Sequence, residues 1–260
     1  MIKLCIFDLG GTIVDKFSLS PFFSLKNAFK NKGIRIHNSL IFKDMGKSKL
    51  DHINLILNDK YVSRLWFQKY GKYPNHSDSQ ILFEDFNKLQ LNDGLKQVRI
   101  LPETKQCFDL LSGNNILTGA TTGFNREITM KIEHILKDRN IHINKYVSST
   151  CLEKSRPFPH MINHIMNELN INDPNSVIKI DDTEIGIKEG INAGCTTVGV
   201  AKWSINMKMR TYEEPYILSE EEYNERLKNS RFALIQAGAD HVIDSLDELY
   251  PLIQKINNTT

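Results

Sequence analysis

The chain has 260 residues, 25% of them charged and 40% hydrophobic, enough for one sizeable core with a smaller inserted domain. A net charge of +2 and a pI of about 8.2 are too weak a bias to argue for nucleic acid or an anionic membrane as partner. No apolar run reaches the length of a membrane span, Asp8 interrupts any signal-like start, and Cys5, Cys107, Cys151 and Cys195 form no CxxC pair, so the expectation is a cytoplasmic protein with reduced thiols.

The first apolar run, residues 2–7, stops abruptly at Asp8-Leu9-Gly10-Gly11-Thr12 and predicts a buried strand feeding a glycine-rich turn. Residues 16–98 carry no clear strand signal. They look helical, with loops around Gly71-Lys72-Tyr73-Pro74 and Asn92-Asp93-Gly94, and Trp66 and Tyr70 at a spacing that suits packing. A helical pattern at 104–111 then precedes a run ending in Thr121-Thr122-Gly123. Helices over 126–136 and 160–169 alternate with strands that end at Ser148-Ser149 and at Asp181-Asp182. A strand over 196–200, a helix over 223–235 and a strand over 241–243 follow. Ser219 reads as a helix N-cap with Glu220, Glu221 and Glu222 in the first turn, and Asn257-Asn258-Thr259-Thr260 as a frayed end. The pattern predicts an α/β protein: a doubly wound parallel sheet with an inserted all-helical cap domain. The core takes residues 1–15 and 99–260, and the cap 16–98. Ligands of such sheets bind at the carboxyl ends of the strands, where these polar residues stand.

A carboxylate at a strand end can act as a nucleophile, and the glycines after Asp8 let successive backbone N–H groups approach an anion. The segment Phe7-Asp8-Leu9-Gly10-Gly11-Thr12-Ile13-Val14-Asp15 resembles the first motif of the haloacid dehalogenase superfamily. The other motifs follow in order. Thr121 or Thr122 matches the phosphoryl-binding hydroxyl. Arg156 in Ser155-Arg156-Pro157-Phe158-Pro159 matches the basic residue, and Asp181-Asp182 the acidic motif. The resemblance implies Mg²⁺, held by Asp8, the carbonyl of Gly10 and Asp182, with Asp181 behind them. Gly10 stands where superfamily phosphomonoesterases carry an acid for the leaving oxygen, so the leaving group must be activated elsewhere.

The segment Met45-Gly46-Lys47-Ser48-Lys49-Leu50-Asp51-His52 supplies a candidate. It resembles the cap of the phosphonoacetaldehyde hydrolase family, in which a lysine forms an imine with the substrate aldehyde; Lys49 is the matching position. If the segment is helical, Met45, Lys49 and His52 share one face and Lys47 points elsewhere. Lys49 is then the imine former, His52 a group for proton transfer and Met45 a wall of the substrate pocket. The resemblance implies cleavage of the carbon–phosphorus bond of phosphonoacetaldehyde, a small-molecule phosphonate, through an aspartyl phosphate on Asp8, by a homodimer. Three positions depart from the family: Phe124 for a tyrosine, Ser18 for a cysteine, and Gly186 for the more distant acid of the metal motif. The alternatives are another superfamily hydrolase, acting on a different phosphonate, a phosphate ester or a haloacid, and a non-catalytic binder of phosphometabolites. His160 and His164 have zinc-like spacing but no HExxH pattern and no third ligand, and read as surface histidines.

Overall fold

The computed structural model describes residues 1–259. Six parallel strands form one sheet in the order β3-β2-β1-β4-β5-β6. They are β1 Leu4–Phe7, β2 Leu117–Thr122, β3 Lys145–Ser148, β4 Val177–Asp181, β5 Thr196–Val200 and β6 His241–Ile243. Every residue of β1 and β4 is buried, which is why these strands read as short continuous runs and not as alternation. The helices between β1 and β2 are α1 Leu19–Asn31, α2 Asn38–Lys43, α3 Lys49–Asn58, α4 Lys60–Tyr70, α5 His76–Leu89, α6 Leu95–Gln97 and α7 Thr104–Gly113. Further on come α8 Arg126–Lys137, α9 His160–Glu168, α10 Glu184–Asn192, α11 Glu220–Gln236 and α12 Leu249–Thr259.

From β1 the chain winds outward to β2 and β3, then returns through α9 to β4 on the other side of β1. The winding reverses between β1 and β4, and a crevice opens beyond their carboxyl ends at such a switch point. The register pairs Phe7 with Ile180, so Asp8 and Asp181 leave the sheet as neighbours.

The helical insert is reached through a narrow neck. The Asp15 N–H donates to the Arg99 carbonyl at 2.8 Å and the Leu101 N–H to the Ile13 carbonyl at 3.0 Å, so the outgoing and returning strands lie side by side. Asp15, Phe17 and Ser18 all take positive φ, at 56°, 62° and 49°, an expensive conformation for residues with a Cβ. It is held by the Asp15 carboxylate, which accepts from Tyr212 Oη at 2.6 Å and from the Ser20 N–H at 3.1 Å. Within the insert α1 and α3 both pack on α5, and Phe22, Phe29, Trp66 and Phe86 join one apolar core that continues into the sheet domain. Trp66 and Tyr70 pack with ring centroids 4.7 Å apart and planes tilted by 41°, the packing contact their spacing suggested.

Two expectations need correction. Residues 45–52 are not one helix: Gly46 has φ 96°, and α3 begins only at Lys49, after Ser48 caps it by accepting the Asp51 N–H at 3.2 Å. Asn257, Asn258 and Thr259 belong to α12 and are not frayed; Asn257 Oδ1 accepts the Ile2 N–H at 2.7 Å, which ties this end to the start of the chain. Thr260 lies outside the described residues. Ser219 caps α11 as expected, with a capping box to Glu222. No helix among the described residues is long and apolar enough to cross a membrane.

Candidate active site

Asp8, Asp181 and Asp182 converge at the ends of β1 and β4, each offering an oxygen within 4.8 Å of the others. The Asp8 N–H donates to the Ile180 carbonyl at 2.9 Å, which holds the end of β1 against β4. Gly11 takes φ 78°, and a Cβ there would overlap the Asp182 carboxylate, so both backbone and space demand glycine. Asp182 accepts from Thr12 Oγ1 at 3.2 Å and from the Ile205 N–H at 3.1 Å, with no cation beside it. Burial, then the charges of Asp8 and Asp181, push its pKa well above the usual carboxylate range. Burial likewise raises Asp8 to about 6, against the pull of Arg156 Nη1 at 2.8 Å. At Asp181 burial is outweighed by the Arg156 guanidinium and the Lys179 ammonium, which hold it below the usual range.

Arg156 is the hub. Besides Asp8, its Nε donates to Glu189 Oε2 at 2.9 Å and its Nη2 to the Thr121 carbonyl at 2.6 Å; Asp181 Oδ2 lies 3.5 Å from Nη2. Lys179, fully buried in the middle of β4, reaches Asp181 at 3.0 Å and Glu189 at 3.3 Å. Asp8, Asp181, Asp182 and Glu189 thus bring four buried carboxylates against the two cations Arg156 and Lys179. The surplus sits on Asp8 and Asp182. Hard carboxylate oxygens at this spacing, one of them with no cationic partner, fit a divalent cation such as Mg²⁺.

The two threonines separate cleanly. Thr121 Oγ1 donates to Glu189 Oε2 at 3.0 Å and accepts from Lys179 Nζ and Arg156 Nη2, both at 2.8 Å. One proton and two lone pairs are all a hydroxyl has, so Thr121 has nothing left for a ligand. Thr122 Oγ1 accepts from the Phe124 N–H at 3.2 Å, keeps its own proton, and lines a small cavity of about 20 Å³ with Asp8, Gly10, Ser18 and Lys49. Thr122, and not Thr121, is the hydroxyl brought to the site.

Lys49 reaches this cavity from the cap. It is 4% exposed, with Nζ 3.5 Å from Met45 Sδ and 5.6 Å from the centre of the Phe124 ring. Burial lowers its pKa to about 8, with Asp8 pulling it up and Arg156 pushing it down. Met45 therefore meets Lys49 as expected, although from the turn before α3 and not along a shared helical face. Lys47 turns away to Asp44 at 2.7 Å. His52 stands one turn further along α3 and does not line the cavity. Its Nε2 lies 3.4 Å from the Leu40 carbonyl, which selects the Nε2–H tautomer and leaves Nδ1 a buried acceptor without a partner. Burial, then the Lys49 charge, lower its pKa to about 3. The cap is closed on the core: the Lys49 N–H donates to the Gly123 carbonyl at 3.3 Å and Arg156 Nη1 to the Gly46 carbonyl at 3.4 Å.

The departure at Gly186 has a physical counterpart. A Cβ at Gly186 would overlap the Asp181 carboxylate, so an acid at 181 and a side chain at 186 exclude one another. Sequence reasoning passed over Lys179 and Glu189. The signal was there for Lys179, a charge inside an otherwise apolar central strand; Glu189 lies in α10 with nothing in its surroundings to distinguish it.

Residues 5–200 match the model of the haloacid dehalogenase-like hydrolases. The chain is 34% identical over 259 residues to the phosphonoacetaldehyde hydrolase of Latilactobacillus sakei, covering 98% of this chain and 96% of that one. It is 31% identical over 255 residues to the phosphonoacetaldehyde hydrolase of Paraburkholderia phytofirmans, covering 98% and 95%. Its fold superposes on a phosphonoacetaldehyde hydrolase-like protein from Oleispira antarctica with a TM-score of 0.94 at 29% identity, covering 99% of this chain and 93% of that one. With its sheet order, its acidic crevice and its helical insert, the chain belongs to the phosphonoacetaldehyde hydrolase family of the haloacid dehalogenase-like hydrolases.

Proposed function

We propose that the protein hydrolyses the carbon–phosphorus bond of phosphonoacetaldehyde to acetaldehyde and phosphate. The observation that carries this reading is the meeting of Lys49 and Asp8 in one closed cavity, the lysine with its pKa lowered to about 8. Neutral Lys49 attacks the aldehyde, and the adduct takes up one proton from solvent and loses water to form a protonated imine. An Asp8 oxygen then attacks phosphorus in line, and the carbon–phosphorus pair passes into the imine to give an enamine. Arg156 and the Thr122 hydroxyl bind the phosphoryl oxygens, whose charge is spread in the transition state. Water cleaves the aspartyl phosphate, the enamine is protonated on carbon, and hydrolysis returns Lys49 and acetaldehyde. Asp8, the Gly10 carbonyl and Asp182 would hold Mg²⁺, with Asp181 behind them; the bound ion supplies positive charge to nucleophile and phosphoryl group. His52, held neutral behind Lys49 and outside the cavity, adds no second positive charge beside the lysine and is not placed to carry protons to the imine, contrary to the expectation for it.

Residues 16–98 act as the cap and 1–15 with 99–260 as the core, the paired backbone at the neck serving as hinge. The substrate is a small phosphonate, and the enzyme works as a cytoplasmic homodimer. Phosphate monoesters are poor substrates, because Gly10 offers no proton to a leaving oxygen.

The deciding experiment couples turnover to trapping. Acetaldehyde and phosphate should appear from phosphonoacetaldehyde with Mg²⁺ and stop in excess chelator. Borohydride with acetaldehyde should fix a secondary amine on Lys49. Lys49→Arg keeps the charge but forms no imine, and activity should drop by about three orders of magnitude, each tenfold step being about 1.4 kcal/mol of barrier. Lys47→Arg should change little. Trapping on Lys47, or an active Lys49→Arg enzyme, would refute the imine assignment.

A further inference from the structure

A cavity of about 770 Å³ lies outside the catalytic one, between α2 and the turn after it on the cap side and α10, α11 and the 205–210 segment on the core side. Met45 lines both spaces and forms the wall between them. The catalytic cavity, at about 20 Å³, is too small to hold a phosphonate as it stands, so the cap must move to admit one, and the outer cavity adjoins it at Met45.

The charge of this outer cavity is one-sided. Lys43, Lys47, Lys188, Lys208 and Arg210 line it, against the two acids Asp44 and Glu184. Asp44 is already neutralised by Lys47 at 2.7 Å. Lys43, Lys188, Lys208 and Arg210 are exposed, and none forms an ion pair among the described residues. Five cations less two carboxylates leave +3 in one cavity, more than the +2 of the whole chain.

We propose that this cavity is a capture vestibule for a small tetrahedral dianion, in which a phosphonate is held by Lys43, Lys188 and Lys208 before the cap passes it to Asp8. The identity of the phosphonate rests on the function proposed above; the anion chemistry of the vestibule does not. A concave site with one sign of charge raises the local concentration of the opposite charge, and salt screens it over about 8 Å at physiological ionic strength. The vestibule therefore acts on substrate entry and leaves the chemical step alone.

The test removes the charge without touching the catalytic residues. The triple variant Lys43→Gln/Lys188→Gln/Lys208→Gln alters exposed side chains and should melt with the wild type, and the matching triple Lys→Arg variant serves as rescue. At low ionic strength kcat/KM of the Gln variant should fall roughly five- to twentyfold with kcat unchanged, and the gap should close in about 0.5 M salt. The Arg variant should behave as wild type. Titration with methylphosphonate, which cannot be cleaved, should show two classes of site in the wild type and one in the Gln variant. This arm stands even if phosphonoacetaldehyde proves not to be the substrate. A kcat/KM within twofold of wild type at low salt, with methylphosphonate binding unaltered, overturns the proposal. Loss of inorganic phosphate binding with kcat/KM unchanged also overturns it, because the cavity would then serve the product and not the substrate.

Discussion

Lys49 carries the largest consequence of any single residue, and it is a consequence of burial. With its pKa near 8, roughly a tenth of it is neutral at pH 7, against about one part in three thousand for an ordinary lysine. Only the neutral amine attacks, so the rate of borohydride trapping with acetaldehyde should rise about tenfold per pH unit below 8 and level off above it. A rate still climbing steeply at pH 10 would show an unperturbed lysine. Gly186 makes a second prediction at this scale. The Cβ of Gly186→Ala would drive the Asp181 carboxylate away from Lys179 and from Thr183, whose Oγ1 donates to it at 2.7 Å. We expect a loss of about 1–3 kcal/mol in thermal unfolding. A Gly186→Ala variant as stable as wild type would show that the two positions are not interlocked.

β4 and α10 act as one element of the site. β4 brings Lys179 and Asp181, α10 brings Glu189 back beneath them, and Thr121 from β2 closes the network. Every polar group of the Thr121 side chain is used, so Thr121 serves to fix Arg156 against Asp8 and has nothing to offer a ligand itself. Removing one charge leaves the others buried and uncompensated. Lys179→Met should therefore destabilise the fold by about 3–5 kcal/mol in urea unfolding, although its volume is nearly conserved. A variant as stable as wild type would mean that Arg156 alone balances the acids. The strand was legible as an apolar run because it is covered on both faces; the role of the charge within it was not, because its partners lie 58 residues away at Thr121 and on the following helix at Glu189.

At the scale of the whole molecule the fit of cap to core comes first, and Gly123 is a point of close approach between them. A Cβ there would overlap the Lys47 carbonyl and crowd the Gly46 carbonyl at 3.0 Å. Gly123→Ala should leave each part folded but hold the cap off the crevice. We expect kcat to fall at least tenfold with the melting temperature within a few degrees of wild type, and the trapping rate at Lys49 to fall with it. Unchanged kcat would show that the cap closes in another way. The vestibule belongs to this scale too, since its walls come from both sides of the same closure.

The sequence by itself determined the alternation of strands and helices, the helical insert, and the motif residues Asp8 and Asp182 at strand ends and Arg156 in the loop before α9, because each is written in local periodicity or in a contiguous motif. It also pointed to Lys49, through the short cap segment. It misread that segment as one helix, because Gly46 at positive φ and the Ser48 cap both act within four residues, finer than a periodicity resolves. The tertiary structure alone decided between Thr121 and Thr122, since two adjacent hydroxyls on a strand face opposite ways and only the partners of each show which is free. It alone exposed the interlock of Asp181 with Gly186, and the buried charges of Lys179 and Glu189. Their meaning lies in distances between segments far apart in the chain, and burial, which sets the pKa of Lys49, exists only once those segments have closed around it.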